Sequence, residues 1–341
     1  MHHMRWRECI VLLGLLACTA VARRLRGQSP ETRGNPDSAA LVTSDIPRFW
    51  RAFAGVPLDS ASFRNAGPRF QRIYIDSGSI GVHDFIPHRI VNGDSLAATI
   101  STRWRYYAAI RQTTLAIDTA EAIKSAIRRS FRRLKALCAD AVFPDVYFVI
   151  GRMNSGGTSS SHGLLIGVEI FARDDATPVD QLNAWERANV GNAANIPGIV
   201  AHELIHFEQP AVKGTPTILE WAIREGGPDF VGELISGIQL NRPAHVYGDA
   251  HEQALWREFS QSLDSTQINQ WFYQGDRSKD RPADLGYYEG YKIAQAYYAR
   301  SADKASAVCT IMHSTDAHAL LARSGYDGAS AKAATPVPAG P

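Results

Sequence analysis

The stretch "GIVAHELIHFEQ", residues 198–209, places three polar side chains inside an otherwise mostly apolar run. They are His202, Glu203 and His206, in the order H-E-x-x-H. Pro197 suits the first turn of a helix, so the run predicts a helix. Positions i and i+4 lie one turn apart and about 40° apart around the helix axis, so both imidazoles can bind one ion. The Glu203 carboxylate can then reach a water on that ion without being a ligand.

A catalytic zinc site needs a third protein ligand and an open position for water. The segment "TILEWAIREGGPDFVGELISG" (217–237) offers Glu225, with eighteen residues between it and His206. A second helix that returns antiparallel after a loop needs about that much chain. Asp229 lies one turn further on, where it can accept the second ring N–H of a ligating histidine. We therefore predict Zn2+ bound by His202, His206 and Glu225, with Asp229 supporting one histidine.

This arrangement of "HELIH", eighteen residues and "EGGPD" resembles the gluzincin metallopeptidases, whose pattern is HExxH on one helix and E-x-x-x-D on the next. Three flanking segments, residues 143–171, 286–298 and 320–326, are similar to a bacterial family of predicted zinc-dependent proteases related to gliding-motility lipoproteins. The resemblance extends from about residue 45 to residue 326. It implies a gluzincin-like core in which the strand before the active helix, "GLLIGVEIFA" (163–172), binds the substrate backbone as an edge strand.

One residue departs from the family's pattern. Pro228 lies between Glu225 and Asp229, where a small helix-forming residue is expected. In a helix interior a proline removes a hydrogen bond and clashes with the carbonyl one turn earlier, here that of Arg224. The two glycines that precede it could absorb a kink. The proline therefore affects the predicted position of Asp229, which follows it, more than that of Glu225, which precedes it.

Peptide hydrolysis also needs a hydrogen-bond donor for the oxyanion that develops on the scissile carbonyl. The segment "GYYEGYKIAQAYY" (286–298) is rich in tyrosine, and Tyr291 is the candidate donor; the alternative is that it packs in the core. Zinc would activate water and polarise the carbonyl. Glu203 would take the proton from that water and pass it to the leaving nitrogen.

These residues predict an exported zinc metallopeptidase that acts on a peptide or protein substrate. The alternative function is of another class: a cell-envelope lipoprotein with a binding or assembly role and weak or no peptidase activity. The net charge of +2 gives no reason to expect a nucleic-acid partner. The sequence does not give the oligomeric state.

The N-terminus predicts export. Arg5 and Arg7 precede "CIVLLGLLACTA", an apolar run suited to the core of a signal peptide. Three modes stay open, namely lipidation at Cys18, cleavage after Ala22, and an uncleaved membrane anchor. Each would place the protein in or beyond a bacterial cell envelope, either periplasmic, membrane-anchored or secreted.

The rest of the chain predicts an α+β fold that is mostly helical, with a small sheet beside the HExxH helix. Two apolar runs, 145–151 and 163–172, read as strands, and the Gly/Ser-rich residues between them read as a hairpin loop. Cys138 and Cys309 could form a disulfide in an exported protein or stay as buried single cysteines. The predicted organisation is a leader (1–22), a linker (23–44), one catalytic domain (45–326) and a disordered tail (327–341).

Overall fold

The structure, a computed structural model, describes residues 33–329. The predicted leader, with its alternatives at Cys18 and Ala22, lies outside this range. So do residues 23–32 of the predicted linker and residues 330–341 of the predicted tail. Across the described range, no helix is both long enough and apolar enough to cross a membrane.

Helices dominate the chain on both sides of a small sheet, which confirms the prediction of a mostly helical α+β fold. Before the sheet they are α1 (Asp45–Phe53), α2 (Ser60–Arg64), α3 (Gly67–Phe70), α4 (Ile80–Phe85), α5 (Gly93–Ala109), α6 (Arg111–Ala116) and α7 (Glu121–Leu137). After it they are α8 (Ala184–Asn189), α9 (Ile196–Glu208), α10 (Ile218–Ser236), α11 (Arg242–Phe259), α12 (Gly286–Arg300), α13 (Lys304–Met312) and α14 (Ala317–Ser324).

The sheet has four strands in the order β1-β2-β4-β3. They are β1 (Leu41–Val42), β2 (Asp145–Val149), β3 (Gly157–Ser159) and β4 (Gly163–Gly167). β1 and β4 pair with β2 in parallel, and β3 pairs with β4 antiparallel. The chain therefore leaves β2, passes over the position of β4 to form the outer strand β3, and turns back into the centre as β4.

Two predictions about these strands were wrong. The Gly/Ser-rich residues 152–162 do not form a simple hairpin loop, because part of this segment is β3. The run 163–172 is not the edge of the sheet either, because its first five residues form β4, which is buried between β2 and β3. Glycine and serine have low strand propensity, so β3 depends on its pairing with β4 rather than on its own sequence.

The end of the predicted linker is part of the fold. Leu41 and Val42 form β1, and the backbone N–H of Ala40 donates to the Asp145 carboxylate at 2.7 Å. The hydrophobic core accordingly begins at Ala39 and continues to Tyr326. The two residues of β1 are too few to show the alternation by which a strand is recognised in a sequence.

α9 is enclosed over most of its length, which agrees with its apolar sequence. It packs against α7, α10 and α13 and against strands β3 and β4. Val200, Ala201, Leu204 and Ile205 are fully buried. A helix that is apolar around its whole circumference belongs in the interior of a protein, and the sheet lies beside it as predicted.

α10 and α12 approach each other closely at a pair of glycines. A Cβ atom at Gly290 would lie 1.8 Å from the carbonyl oxygen of Ala222, and one at Gly226 would lie 2.2 Å from the backbone nitrogen of Tyr291. No side chain fits at either position without moving the helices apart. The first glycine after Glu225 is therefore required by helix packing, and this contact fixes where α10 presents Glu225.

A disulfide joins Cys138, directly after α7, to Cys309 in α13, and this decides between the two alternatives for these cysteines. The two residues are 171 positions apart in the sequence. α7 and α13 also contact each other, and both pack against α9 and α10. The crosslink therefore connects the two helices that flank the HExxH helix.

We expect the double substitution Cys138→Ser/Cys309→Ser to lower the free energy of unfolding by roughly 5 kcal/mol, since the bond closes a very long loop in the unfolded chain. Denaturant unfolding of the oxidised protein and of the variant measures the difference. A reductant should lower the unfolding midpoint of the wild type and leave that of the variant unchanged. Equal midpoints for oxidised wild type and variant would contradict the role assigned to the crosslink.

Candidate metal centre

α9 and α10 bring together the three side chains that the sequence predicts as ligands. His202, His206 and Glu225 each offer one ligand atom, and these atoms all lie within 4.8 Å of one another. Nε2 of His206 is 3.2 Å from Oε2 of Glu225, and the two imidazole centroids are 4.6 Å apart. Two nitrogen donors and one carboxylate oxygen form a ligand set of the kind used by catalytic zinc sites.

Asp229 lies beside His202. Its Oδ1 is 2.8 Å from Nδ1 of His202, although the two atoms are not aligned as a hydrogen bond, and its Oδ2 accepts from Asn241 at 2.7 Å. Burial alone would lower the pKa of His202, but the Asp229 carboxylate raises it to about 9. The structure therefore places Asp229 where the sequence predicts it.

Gln209 plays the corresponding part for His206, and the sequence analysis did not identify it. Its Oε1 lies 2.8 Å from Nδ1 of His206, and its Nε2 donates to the carbonyl of Arg224 at 2.9 Å. Gln209 directly follows α9, three positions after His206. Both histidines thus have Nδ1 beside a side-chain oxygen, which leaves Nε2 of each as the atom suited to a metal ion.

Glu203 points towards the sheet. A Cβ atom at Gly157, in β3, would lie 2.6 Å from Oε1 and 2.7 Å from Cγ of Glu203. The carboxylate therefore rests directly on the backbone of the edge strand, and Gly157 leaves the space that it occupies. Burial raises the pKa of Glu203, against the opposing effect of the positive charges at His206 and His202.

Tyr273 is a second residue that the sequence analysis missed. Its hydroxyl donates to Oε1 of Glu225 at 3.3 Å, while half of the residue is exposed at the surface. Burial of the hydroxyl, followed by the negative charge of Glu225, raises its pKa, so the group stays protonated. It lies in the loop before α12 and has a positive φ of 55°, which no simple sequence pattern predicts.

Tyr291, the predicted oxyanion donor, lies elsewhere. Its hydroxyl donates to Oε2 of Glu233 at 3.0 Å, and its ring packs against His245 with centroids 4.5 Å apart. Within residues 33–329 no hydrogen bond joins it to Glu203 or to a predicted ligand. The tyrosine that reaches the cluster comes from the loop before α12, because the close contact of α12 with α10 directs Tyr291 into the core.

Pro228 does not break α10. The helix runs without interruption from Ile218 to Ser236 with Pro228 inside it, and Asp229 keeps its place beside His202. The kink considered from the sequence is therefore not needed. Since proline has no N–H, the carbonyl of Arg224 receives its hydrogen bond from Gln209 instead of from residue 228.

The donor set fits a divalent cation. Glu203, Glu225 and Asp229 are 5%, 6% and 3% exposed, so three carboxylates are buried around two imidazoles. Burial raises the pKa of Glu225, but His206 and His202 outweigh this effect and hold the pKa low, at about 2. A buried cluster of this composition needs positive charge to offset the cost of removing carboxylates from water. A metal ion between the histidines and Glu225 would supply that charge.

Zinc should stabilise the fold if it binds this cluster. At a free concentration 100 times its Kd, a ligand that binds only the folded state adds about 2.7 kcal/mol to the free energy of unfolding. Denaturant unfolding with zinc or with a chelator measures this gain, which Glu225→Gln should reduce. The matched control His318→Gln alters an exposed histidine and should keep the full gain. If the unfolding midpoint of the wild type were the same with zinc as with the chelator, the assignment would be contradicted.

Comparison with known proteins identifies a family but no characterised relative. The family model described as "Gliding motility protein GldB" matches residues 32–328. Neither a curated protein nor a solved structure gives a match. The matched range includes the helices that carry the cluster, the sheet and both cysteines of the disulfide. Because the match spans most of the chain, the protein belongs to this family of gliding-motility lipoproteins of the bacterial cell envelope.

Proposed function

We propose that the protein is a zinc-dependent hydrolase of the cell envelope that cleaves peptide bonds, with a gluzincin-type ligand set. The proposal rests on one observation above all. Glu203, a carboxylate that binds no metal in this scheme, is buried beside His202, His206 and Glu225 and is held against Gly157 of an edge strand. A site that only stores a metal ion, or only stabilises the fold, has no use for this additional carboxylate.

His202, His206 and Glu225 would hold the ion. When bound, zinc supplies Lewis acidity that activates water and polarises a carbonyl. Glu203 serves as the general base and then as the general acid that delivers the proton to the leaving nitrogen. Its burial favours this exchange, because a raised pKa brings a carboxylate closer to the operating pH.

The edge strand β3 provides a place for an extended substrate. β3 pairs on one side only, with β4, and Gly157 within it touches Glu203. A peptide that adds to the open side of β3 would run past the Glu203 carboxylate, with main-chain hydrogen bonds giving affinity. This assigns to β3 the substrate-binding role that the sequence analysis gave to residues 163–172.

Tyr273 is the proposed oxyanion donor in place of Tyr291. Its hydroxyl lies beside Glu225 and stays protonated, so it can donate to a carbonyl oxygen that gains negative charge. Arg277 donates to its backbone carbonyl at 2.6 Å, and the side chains of Gln274 and Asp284 each bond to the backbone N–H of the other. These contacts hold the loop that presents the hydroxyl.

A second candidate function is an envelope lipoprotein that takes part in binding or assembly, with weak or no peptidase activity. The family match supports this candidate more directly than the first, because the family's description names gliding motility and no enzyme. It also favours a lipidated Cys18 over cleavage after Ala22 as the mode of export. In this case the metal cluster would stabilise a binding surface rather than carry out hydrolysis.

Glu203→Gln separates the two candidates. The variant keeps the shape of the side chain and all three ligands, so it should bind zinc as the wild type does. If Glu203 is the base, cleavage of an unfolded protein substrate should fall by about 10²- to 10⁴-fold. Zinc content and a time course of proteolysis measure the two properties. Equal proteolysis by wild type and variant, or none by either, would leave the binding candidate and exclude the peptidase.

A pair of tyrosine substitutions tests the oxyanion donor. Tyr273→Phe should lower kcat by about 10²- to 10³-fold, as loss of one oxyanion donor does in other enzymes, with KM nearly unchanged. Tyr291→Phe is the matched control, since its hydroxyl bonds to Glu233 and not to Glu203 or a proposed ligand, and its kcat should stay close to that of the wild type. The reverse order of the two effects would return the role to Tyr291.

A further inference from the structure

Pro228 is linked to His206 by a short chain of polar contacts. Because proline has no N–H, residue 228 cannot donate to the carbonyl of Arg224, one turn earlier in α10. That carbonyl accepts from Nε2 of Gln209 at 2.9 Å. At its other end, the Gln209 amide places Oε1 2.8 Å from Nδ1 of His206. This series of polar contacts therefore connects α10 to the last turn of α9.

These contacts determine where the proton of His206 lies. A backbone carbonyl only accepts hydrogen bonds, so Gln209 must present its NH2 group to Arg224 and its oxygen to His206. An amide oxygen also only accepts, so Nδ1 of His206 must carry the proton. Nε2 faces the Glu225 carboxylate at 3.2 Å, another group that only accepts, so Nε2 also carries a proton before a metal binds. An ion that binds Nε2 would replace that proton and leave the Nδ1–H form of the ring, which the Gln209 oxygen holds in place.

We propose that Pro228 is a positioning residue that sets the tautomer of His206 through Gln209. Any other amino acid at 228 would bring an N–H that donates to the Arg224 carbonyl, as in an uninterrupted α-helix. This N–H would compete with Gln209 for the acceptor that fixes the orientation of its amide. The inference rests on the proposed metal site and deepens it, because it concerns how well His206 is prepared to bind the ion.

A purely structural role makes a different prediction. The Arg224 side chain donates to the carbonyl of Pro210 at 3.1 Å, so the same residues also tie the end of α9 to α10. Pro228→Ala adds a backbone donor and a better helix former, which should leave the free energy of unfolding unchanged or raise it. If the proline serves tautomer selection, zinc affinity falls although stability does not. A structural role would move both quantities in the same direction.

Zinc affinity, measured by competition with a chromophoric chelator, tests each of these contacts separately. Gln209→Leu should weaken zinc binding by about 10- to 100-fold, the usual effect of removing a hydrogen-bond partner of a ligand. Pro228→Ala should weaken it by up to about tenfold, and the double variant should bind no more weakly than Gln209→Leu alone. The controls Pro243→Ala, in the first turn of α11, and Gln253→Leu, on its exposed face, should bind as the wild type does.

The Nδ1 proton of His206 can be observed without metal. Proton NMR of the metal-free protein should show this proton protected by Gln209 from exchange with water in the wild type and exchanging faster in Gln209→Leu and Pro228→Ala. A wild-type Nδ1 proton that exchanges as fast as in Gln209→Leu, or a Pro228→Ala protein with wild-type exchange and zinc affinity, would overturn the proposal. A wild type that binds no zinc would refute the metal site instead, while the NMR result would still decide the proposal for Pro228.

Discussion

The structure depends on how α9 and α10 bury three carboxylates and two imidazoles in one place. Water cannot offset the charges of Glu203, Glu225 and Asp229 there, so each must find a positive or hydrogen-bonding partner within a few ångströms. This demand fixes the rotation of both helices about their axes. The glycine contact between α10 and α12 and the position of β3 against Glu203 then follow, since either would be lost if one helix turned.

The sequence identifies the three candidate ligands that the structure brings together, because their spacing is a property of one or two helices. His202 and His206 are one turn apart, and Glu225 and Asp229 repeat that separation on the next helix. This pattern can therefore be recognised without knowledge of the fold. Pro228 shows the limit of the same reasoning. Helix-forming rules predict the loss of one hydrogen bond at this proline. They cannot predict that Gln209, which lies at the end of another helix, replaces that bond.

The missed features depend on tertiary structure. Tyr273 reaches Glu225 from a loop with no periodicity, and no helical pattern marks it as different from the tyrosines of α12. Gly157 lies in a segment whose composition is that of a loop, and it becomes a strand only by pairing with β4. The same pairing moved the open edge of the sheet from 163–172 to β3. In each case, a contact between distant parts of the chain outweighs the preference of the local sequence.

The disulfide makes the candidate metal centre dependent on cellular location. Cys138 and Cys309 can remain joined only in an oxidising compartment, and the helices they connect enclose α9 and α10. In the reducing interior of a cell the same chain would hold its histidines between less firmly connected helices. Under the proposed function, zinc loading would therefore be favoured after the protein has crossed the membrane, so that newly made chains would compete little for the zinc of the cytoplasm.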